Sequence, residues 1–308
     1  MIHHLAQLLS VRRDTESVSL KVKKVKEKPV CASASNRRKN MGERRRKGVL
    51  RVQCYLVEVG LLIRIAFVDV DDTLLDFRES ARISALKAAQ TENIHLPQTF
   101  MQTFERINDV FWHRIEEGTM TREELHQVRW TAILRELGVA GNGIRMEQRF
   151  RENLRNTAVP VEGAHEMLSF LAERVPVWIA SNAVRQQQEK RLGLAGMRPF
   201  VQGILASVDL GANKPSPAFF RACLERVGPV LPEECLMIGD SMRADIAGAA
   251  RAGMRTCWYH PSLEPEEDSG AMRPDWTVRN LKEIMMIEEL KELRKERHDD
   301  ASSAQRMD

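Results

Sequence analysis

Cysteine is scarce in this chain. The five present (Cys31, Cys54, Cys223, Cys235 and Cys257) are odd in number and include no Cys-x-x-Cys pair, which speaks against a disulfide scaffold or a zinc ribbon. That usage suits a reducing compartment, and a cytoplasmic protein is expected. Long apolar runs are missing as well. The most apolar stretch, residues 49–70, is broken by Arg51, Glu58 and Arg64 and falls short of a bilayer span, so no membrane association is expected. The opening MIHHLAQLLSVRR has no leading basic region and no small-residue cleavage site, and does not read as a secretory signal. Aromatic residues make up 6% of the 308, and none precedes Tyr55.

Charge is unevenly placed. Residues 1–60 carry 15 Lys/Arg against 5 Asp/Glu, while the remaining 248 carry 32 against 38. The first 60 residues, with runs such as Lys21-Val-Lys-Lys-Val-Lys-Glu-Lys28 and Arg44-Arg-Arg-Lys47, show no apolar period and cannot bury enough surface to offset chain entropy. They are expected to be a disordered basic extension. Nucleic-acid binding is expected only through this tail, and the lack of stacking aromatics argues against even that.

From residue 61 the pattern changes. Residues 63–70 (IRIAFVDV) form an apolar, β-branched run that reads as a strand buried on both faces of a parallel sheet. Similar runs recur at 175–180, 204–208, 235–238 and 255–259, with a further short strand expected at 276–278. Helix-like segments separate the first four. This alternation implies an α/β fold with a doubly wound parallel sheet, whose ligands sit beyond the carboxyl ends of the strands.

Between the first two strands lie about a hundred residues in which apolar positions follow helical spacing: Phe104, Ile107, Phe111 and Ile115, then Leu125, Val128, Ile133 and Leu137. An all-helical insertion fits. Thr121-Arg-Glu-Glu124 resembles a capping box and Gly138 a helix terminator. The domain plan is then a basic extension at 1–60, an α/β core at 61–78 and 159–290, a helical cap at 79–158, and a polar tail at 291–308. A helix is expected from Leu281, its stripe packing on the sheet.

Asp69-Val-Asp71 places two carboxylates at the end of a buried strand, where they need a compensating cation or hydrogen bonds. The later strands end in suitable groups. Ser181-Asn182 offers a hydroxyl, an amide and the N–H groups of the next helix. Lys214 supplies a fixed charge ahead of Ser216 and Pro217, which start a helix. Gly239-Asp240-Ser241 adds a carboxylate, with Asp245 five residues beyond Asp240. Clustered Asp oxygens suit Mg²⁺, and the lysine and donors match a phosphoryl group.

Asp69-Val-Asp-Asp-Thr73, Ser181, Lys214-Pro215 and Gly239-Asp-Ser-Met-Arg-Ala-Asp245 resemble, in order, the four motifs of the haloacid dehalogenase superfamily. The likeness covers roughly residues 63–290. It implies a Rossmann-like core with a helical cap, and an activity on small-molecule phosphate esters. It further implies Asp69 as nucleophile, Asp71 as general acid and base, and Mg²⁺ held by Asp69, the backbone carbonyl of Asp71 and Asp240. Thr73, Ser181, Asn182 and Lys214 would bind the phosphoryl group. Asp245, with Ser241 beside it, would orient Lys214 or a metal-bound water; the alternative for Asp245 is an ordinary first-turn residue favoured by the helix dipole. A carboxylate at Asp71 points to phosphatase, because dehalogenation has no alkoxide to protonate.

The extension Asp71-Asp-Thr-Leu-Leu-Asp-Phe77 and the cap segments Phe104–Trp112, Glu116–Gly118 and Leu125–Trp130 are similar to a subgroup containing bacterial pyrimidine nucleotide 5′-phosphatases. That similarity implies Asn108 and Arg129 as substrate-binding residues, with Trp112 stacking on a base. Helical spacing alone makes Trp112 and Trp130 cap core, and both readings stand. Other caps in the superfamily handle sugar phosphates and phosphoglycolate, so the substrate stays open. The isolated histidines, His126 among them, have no metal-binding spacing and receive no role.

Overall fold

Alternate residues of the first apolar run face opposite sides of a sheet, and both sides are covered. In the computed structural model, which describes residues 62–262 and 273–291, strand β1 (Ile65–Val68) turns Ala66 and Val68 into one apolar cluster and Ile65 and Phe67 into another. This is the environment of a central parallel strand. The others are β2 (Val177–Ser181), β3 (Gly203–Ala206), β4 (Cys235–Gly239), β5 (Arg255–Tyr259) and β6 (Trp276–Val278). They form one six-stranded sheet in the order β3-β2-β1-β4-β5-β6, every pair parallel. The chain reverses its winding between β1 and β4, and that crevice is where ligands of open α/β sheets bind.

Four helices intervene between β1 and the core's next element: α1 (Phe77–Glu92), α2 (Phe100–Glu116), α3 (Arg122–Glu136) and α4 (Gly143–Leu154). They have their own core, in which Phe104, Trp130 and Phe150 meet at ring separations of 5.4–5.7 Å. Asp76 caps α1 by accepting from Glu79 N–H at 2.7 Å, and Thr121 with Glu124 makes the expected capping box of α3. The two crossings run side by side: Asp76 N–H donates to Val159 O at 2.8 Å and Val161 N–H to Leu74 O at 3.0 Å. The core continues with α5 (Ala164–Ala172), α6 (Arg185–Leu194), the short α7 (Ser207–Leu210), α8 (Pro217–Val227), a π-helical turn (Met242–Ala247), α9 (Gly248–Arg251) and α10 (Glu288–Lys291). Ser216 caps α8 and Pro217 opens it, as expected.

Several local expectations need correction. The first strand is four residues long, because the chain leaves the sheet at Asp69. The third spans Gly203–Ala206, and its expected end, Ser207 and Val208, begins α7. Residues from Leu281 to Met286 form a 3₁₀ helix, and only Glu288–Lys291 is α-helical; Leu281, Ile284, Ile287 and Leu290 nevertheless pack into the sheet's cluster. Val128, counted with the buried face of α3, is 38% exposed. Among the described residues no helix is long and apolar enough to cross a membrane. The basic extension at 1–60 and nearly all of the polar tail lie outside the described residues.

Candidate active site

Asp69 follows β1 directly and Asp240 follows β4, its neighbour in the sheet, so register alone brings them together. Asp69 N–H donates to Ile238 O at 2.9 Å, which holds the residue at the sheet's edge. Lys214 enters from the loop ahead of α8. Its ammonium donates to Asp69 Oδ1 and Asp245 Oδ1, both at 2.6 Å, and to Ala180 O at 2.9 Å. Burial works against its charge, but Asp245 and Asp69 outweigh that and hold its pKa above the ordinary value. Asp69 Oδ2 accepts no hydrogen bond among the described residues.

Asp245 is buried, with one oxygen on Lys214 and the other accepting from Ser241 N–H at 3.1 Å. This fit requires Gly239, since a Cβ there would come within 2.3 Å of Asp245 Oδ2. Asp240 Oδ1 accepts from the Thr73 hydroxyl at 3.0 Å, and its carbonyl accepts from Trp258 Nε1 at 2.7 Å. Thr73 is fully buried, and its contact is with Asp240.

Asp71 lines the same cleft and is held from α6. Its Oδ1 accepts from Arg191 Nη1 and its Oδ2 from Gln188 Nε2, the latter at 2.8 Å. Gln188 and Arg191 lie one turn apart on α6 and are both 0% exposed. Gln188 also donates to Ser181 Oγ at 3.2 Å, and Ser181 Oγ accepts from Ala183 N–H at 3.1 Å. Asp72, at φ +60°, turns the chain into the insertion and accepts from Phe77 N–H at 2.9 Å.

Asn182 was expected at the phosphoryl group. The structure engages both ends of its amide with Lys214: Oδ1 accepts from Lys214 N–H at 2.8 Å, and Nδ2 donates to Lys214 O at 3.1 Å. Its side chain thus fixes the lysine's backbone. Arg129 is 4% exposed and bound bidentately by Glu147, at 2.7 and 3.1 Å, with Nη1 on Asn108 Oδ1 at 2.9 Å. Its charge is balanced inside the helical insertion.

A cleft of about 540 Å³ joins these groups, with Asp69, Asp71, Lys214 and Asp240 on the sheet side and Asn108, Trp112, His126 and Arg151 on the helical side. Trp112, half-buried, faces this cleft, whereas Trp130 is wholly core. The insertion is clasped at this mouth by Arg122, whose Nη2 donates to Asn182 O at 2.6 Å, Asn213 Oδ1 at 2.7 Å and the Ser207 hydroxyl. Glu116 pairs with Arg243 beside it.

Oxygen atoms of Asp69, Asp240 and Asp245 lie within 4.8 Å of one another. Burial raises the pKa of Asp69 to about 7, with Asp245 and Asp71 adding to the effect and Lys214 opposing it. Burial, then Asp245 and Asp69, raises that of Asp240 well above its ordinary value. One lysine is too little positive charge for this group of carboxylates, and their hard oxygens fit a small divalent cation. Asp245 has both oxygens engaged already, which leaves Asp69 and Asp240 as the available side-chain ligands.

Gln188, Arg191, Arg122, Arg151 and Trp258 were not anticipated from the sequence. Gln188 and Arg191 sit in the polar run Arg185-Gln-Gln-Gln-Glu-Lys-Arg191, where nothing local separates a buried polar face from a solvated one.

A family model described as haloacid dehalogenase-like hydrolase matches residues 63–253. The chain is 34% identical over 224 residues to the HAD-hydrolase YfnB of Bacillus subtilis, covering 73% of this chain and 94% of that one. It is 29% identical to pyrimidine 5′-nucleotidase PynA of Streptococcus pneumoniae, over 63% of this chain and 82% of the relative. To pyrimidine 5′-nucleotidase YjjG of Escherichia coli it is 26% identical, over 72% and 96%. A crystal structure of YfnB bound to magnesium superposes with a TM-score of 0.68, covering 73% of this chain and 98% of that one.

Proposed function

The chain belongs to the haloacid dehalogenase-like hydrolase family, and from that premise we propose that it is a Mg²⁺-dependent phosphomonoester hydrolase acting on nucleoside 5′-monophosphates through an aspartyl-phosphate. The observation that carries this is Asp71. A carboxylate two residues beyond Asp69, lining the same cleft, is what ester hydrolysis needs and halide displacement does not. The names of the two nucleotidase relatives support the substrate class.

The Asp69 carboxylate attacks phosphorus through one of its oxygens, and Lys214, which donates to Oδ1, balances its charge. Asp71 protonates the departing alkoxide, so a neutral alcohol leaves. Asp71 then takes a proton from water as that water attacks the phosphoryl group on Asp69, releasing inorganic phosphate and restoring both carboxyl groups. Lys214 and the Ser181 hydroxyl stabilise the charge on the transferring group. Asp69, Asp240 and the backbone carbonyl of Asp71 would hold Mg²⁺, which when bound neutralises charge on the phosphoryl oxygens.

The test is release of inorganic phosphate from a panel of nucleotides and sugar phosphates, with Mg²⁺ and with chelator, by wild type and Asp69→Asn. Turnover of a nucleotide that needs both Mg²⁺ and Asp69 is expected. Full activity in the variant, or under chelation, overturns the mechanism.

A further inference from the structure

The helical wall of the cleft holds two sets of hydrogen-bond donors, and among the described residues only one is satisfied. Arg129 is satisfied by Glu147 and Asn108. A guanidinium can only donate, so the Asn108 amide must turn Oδ1 towards it. Nδ2 is the end left over, and it meets no acceptor among the described residues. Asn108 is 6% exposed and lines the cleft, so the orientation of this free donor is set by a buried ion pair behind it.

Arg151 lies one turn beyond Glu147 on α4 and lines the same wall. Arg129 already holds both oxygens of Glu147, and the Arg151 guanidinium has neither a hydrogen-bond nor an ion-pair partner among the described residues. Burial destabilises its charge; Glu147 opposes that, while Arg155 and Arg129 add to it. Trp112 borders the same space, and His126 beside it is uncharged near neutral pH, its pKa pushed down to about 4 by burial and by Arg151, Arg129 and Arg122. Unpaired donors in a cleft also lined by Trp112 match a flat or compact group rich in oxygen acceptors.

We infer that Asn108 Nδ2 and the Arg151 guanidinium form a leaving-group subsite that binds an oxygen acceptor, a ring carbonyl or a carboxylate, on the alcohol part of the ester. The inference rests on the phosphatase reading above, which puts the phosphoryl group at Lys214. Leaving groups without such an oxygen leave both donors unpaired, and a site built to hydrogen-bond its ligand rejects those strongly. Phenol, with no acceptor beyond the ester oxygen itself, falls in that group.

Steady-state kinetics of the full chain with Mg²⁺ test this on uridine 5′-monophosphate, adenosine 5′-monophosphate, 3-phosphoglycerate and phenyl phosphate. Arg151→Met removes one donor group. Asn108→Asp removes the other yet keeps an acceptor for Arg129, so the fold is spared. Each variant is expected to raise KM for the acceptor-bearing ester by about tenfold or more while kcat/KM for phenyl phosphate stays within about twofold. A loss confined to the uridine ester assigns a ring carbonyl, and one confined to phosphoglycerate a carboxylate; either supports the subsite. Parallel losses on phenyl phosphate, or no loss in either variant, overturn it. A wild type that hydrolyses phenyl phosphate as well as the other esters keeps the phosphatase reading and overturns the subsite, whereas one that hydrolyses none overturns both.

Discussion

Arg191 donates to the Asp71 carboxylate from a position with no exposure to solvent. The same side chain donates through Nε to Thr157 O at 3.1 Å, on the segment by which the insertion returns to the core. One guanidinium therefore fixes the carboxylate assigned to proton transfer and the exit of the cap together.

Loss of that contact should be felt in proportion to how much the leaving group needs a proton. For Arg191→Met, hydrolysis of an alkyl phosphate is expected to fall by about 10²-fold, the lower end of what a positioned general acid contributes. An aryl phosphate with an acidic phenol should lose less than about tenfold by the same argument. Kinetics on paired alkyl and aryl esters, with thermal melts to confirm folding, decide it; equal losses on both would mean that Arg191 only supports the fold.

Gly239→Ala puts a methyl group against the Asp245 carboxylate, with the nearest atom at 2.3 Å. That carboxylate is pinned by Lys214 and Ser241 N–H, so it has little room to yield. Destabilisation of about 1–3 kcal/mol is expected, as for other overpacked interiors. Urea denaturation measures it, and an unchanged midpoint would count against the packing described.

Addition of Mg²⁺ should raise the melting temperature of the wild type, since a ligand held only by the folded chain stabilises by about 2.7 kcal/mol at a hundredfold excess over its Kd. In Asp240→Asn the response should be much smaller. Equal shifts in the two proteins would place the ion elsewhere.

His126 supplies a pH dependence of known sign. Its folded-state pKa of about 4 lies below the ordinary 6.5. As pH falls through that window the unfolded chain gains a proton that the folded chain refuses. The His126 contribution is therefore fully present above 6.5 and is lost on the way down to 4. His126→Gln should narrow the difference in melting temperature between about pH 7 and about pH 4.5 by roughly 2 °C or more. An unchanged difference would show that the imidazole is not held neutral.

The sheet was legible because β1 and β4 are apolar without interruption, which only a strand covered on both faces tolerates. The residues at their ends could be found for the same reason: Asp69 and Asp240 each follow such a run directly. The capping box at Thr121 was equally plain, since its signal spans four residues. What escaped was pairing over distance. Arg129 meets Glu147 across two helices, Asn182 meets the backbone of Lys214, and Gln188 and Arg191 meet Asp71 from a helix whose other polar residues look the same in one dimension. The misread Val128 has the same origin. Arg129 takes an inward position that its charge would forbid if Glu147 were not there to receive it.

The whole helical insertion enters and leaves through a doorway two chain segments wide, bridged by the bonds from Asp76 to Val159 and from Val161 to Leu74. Beyond that threshold the insertion meets the core through side chains alone, Arg122 on Asn182 and Glu116 on Arg243 among them. A lid of different size could be spliced in at the same two posts, and the aspartates below would keep their places while the choice of guest changed.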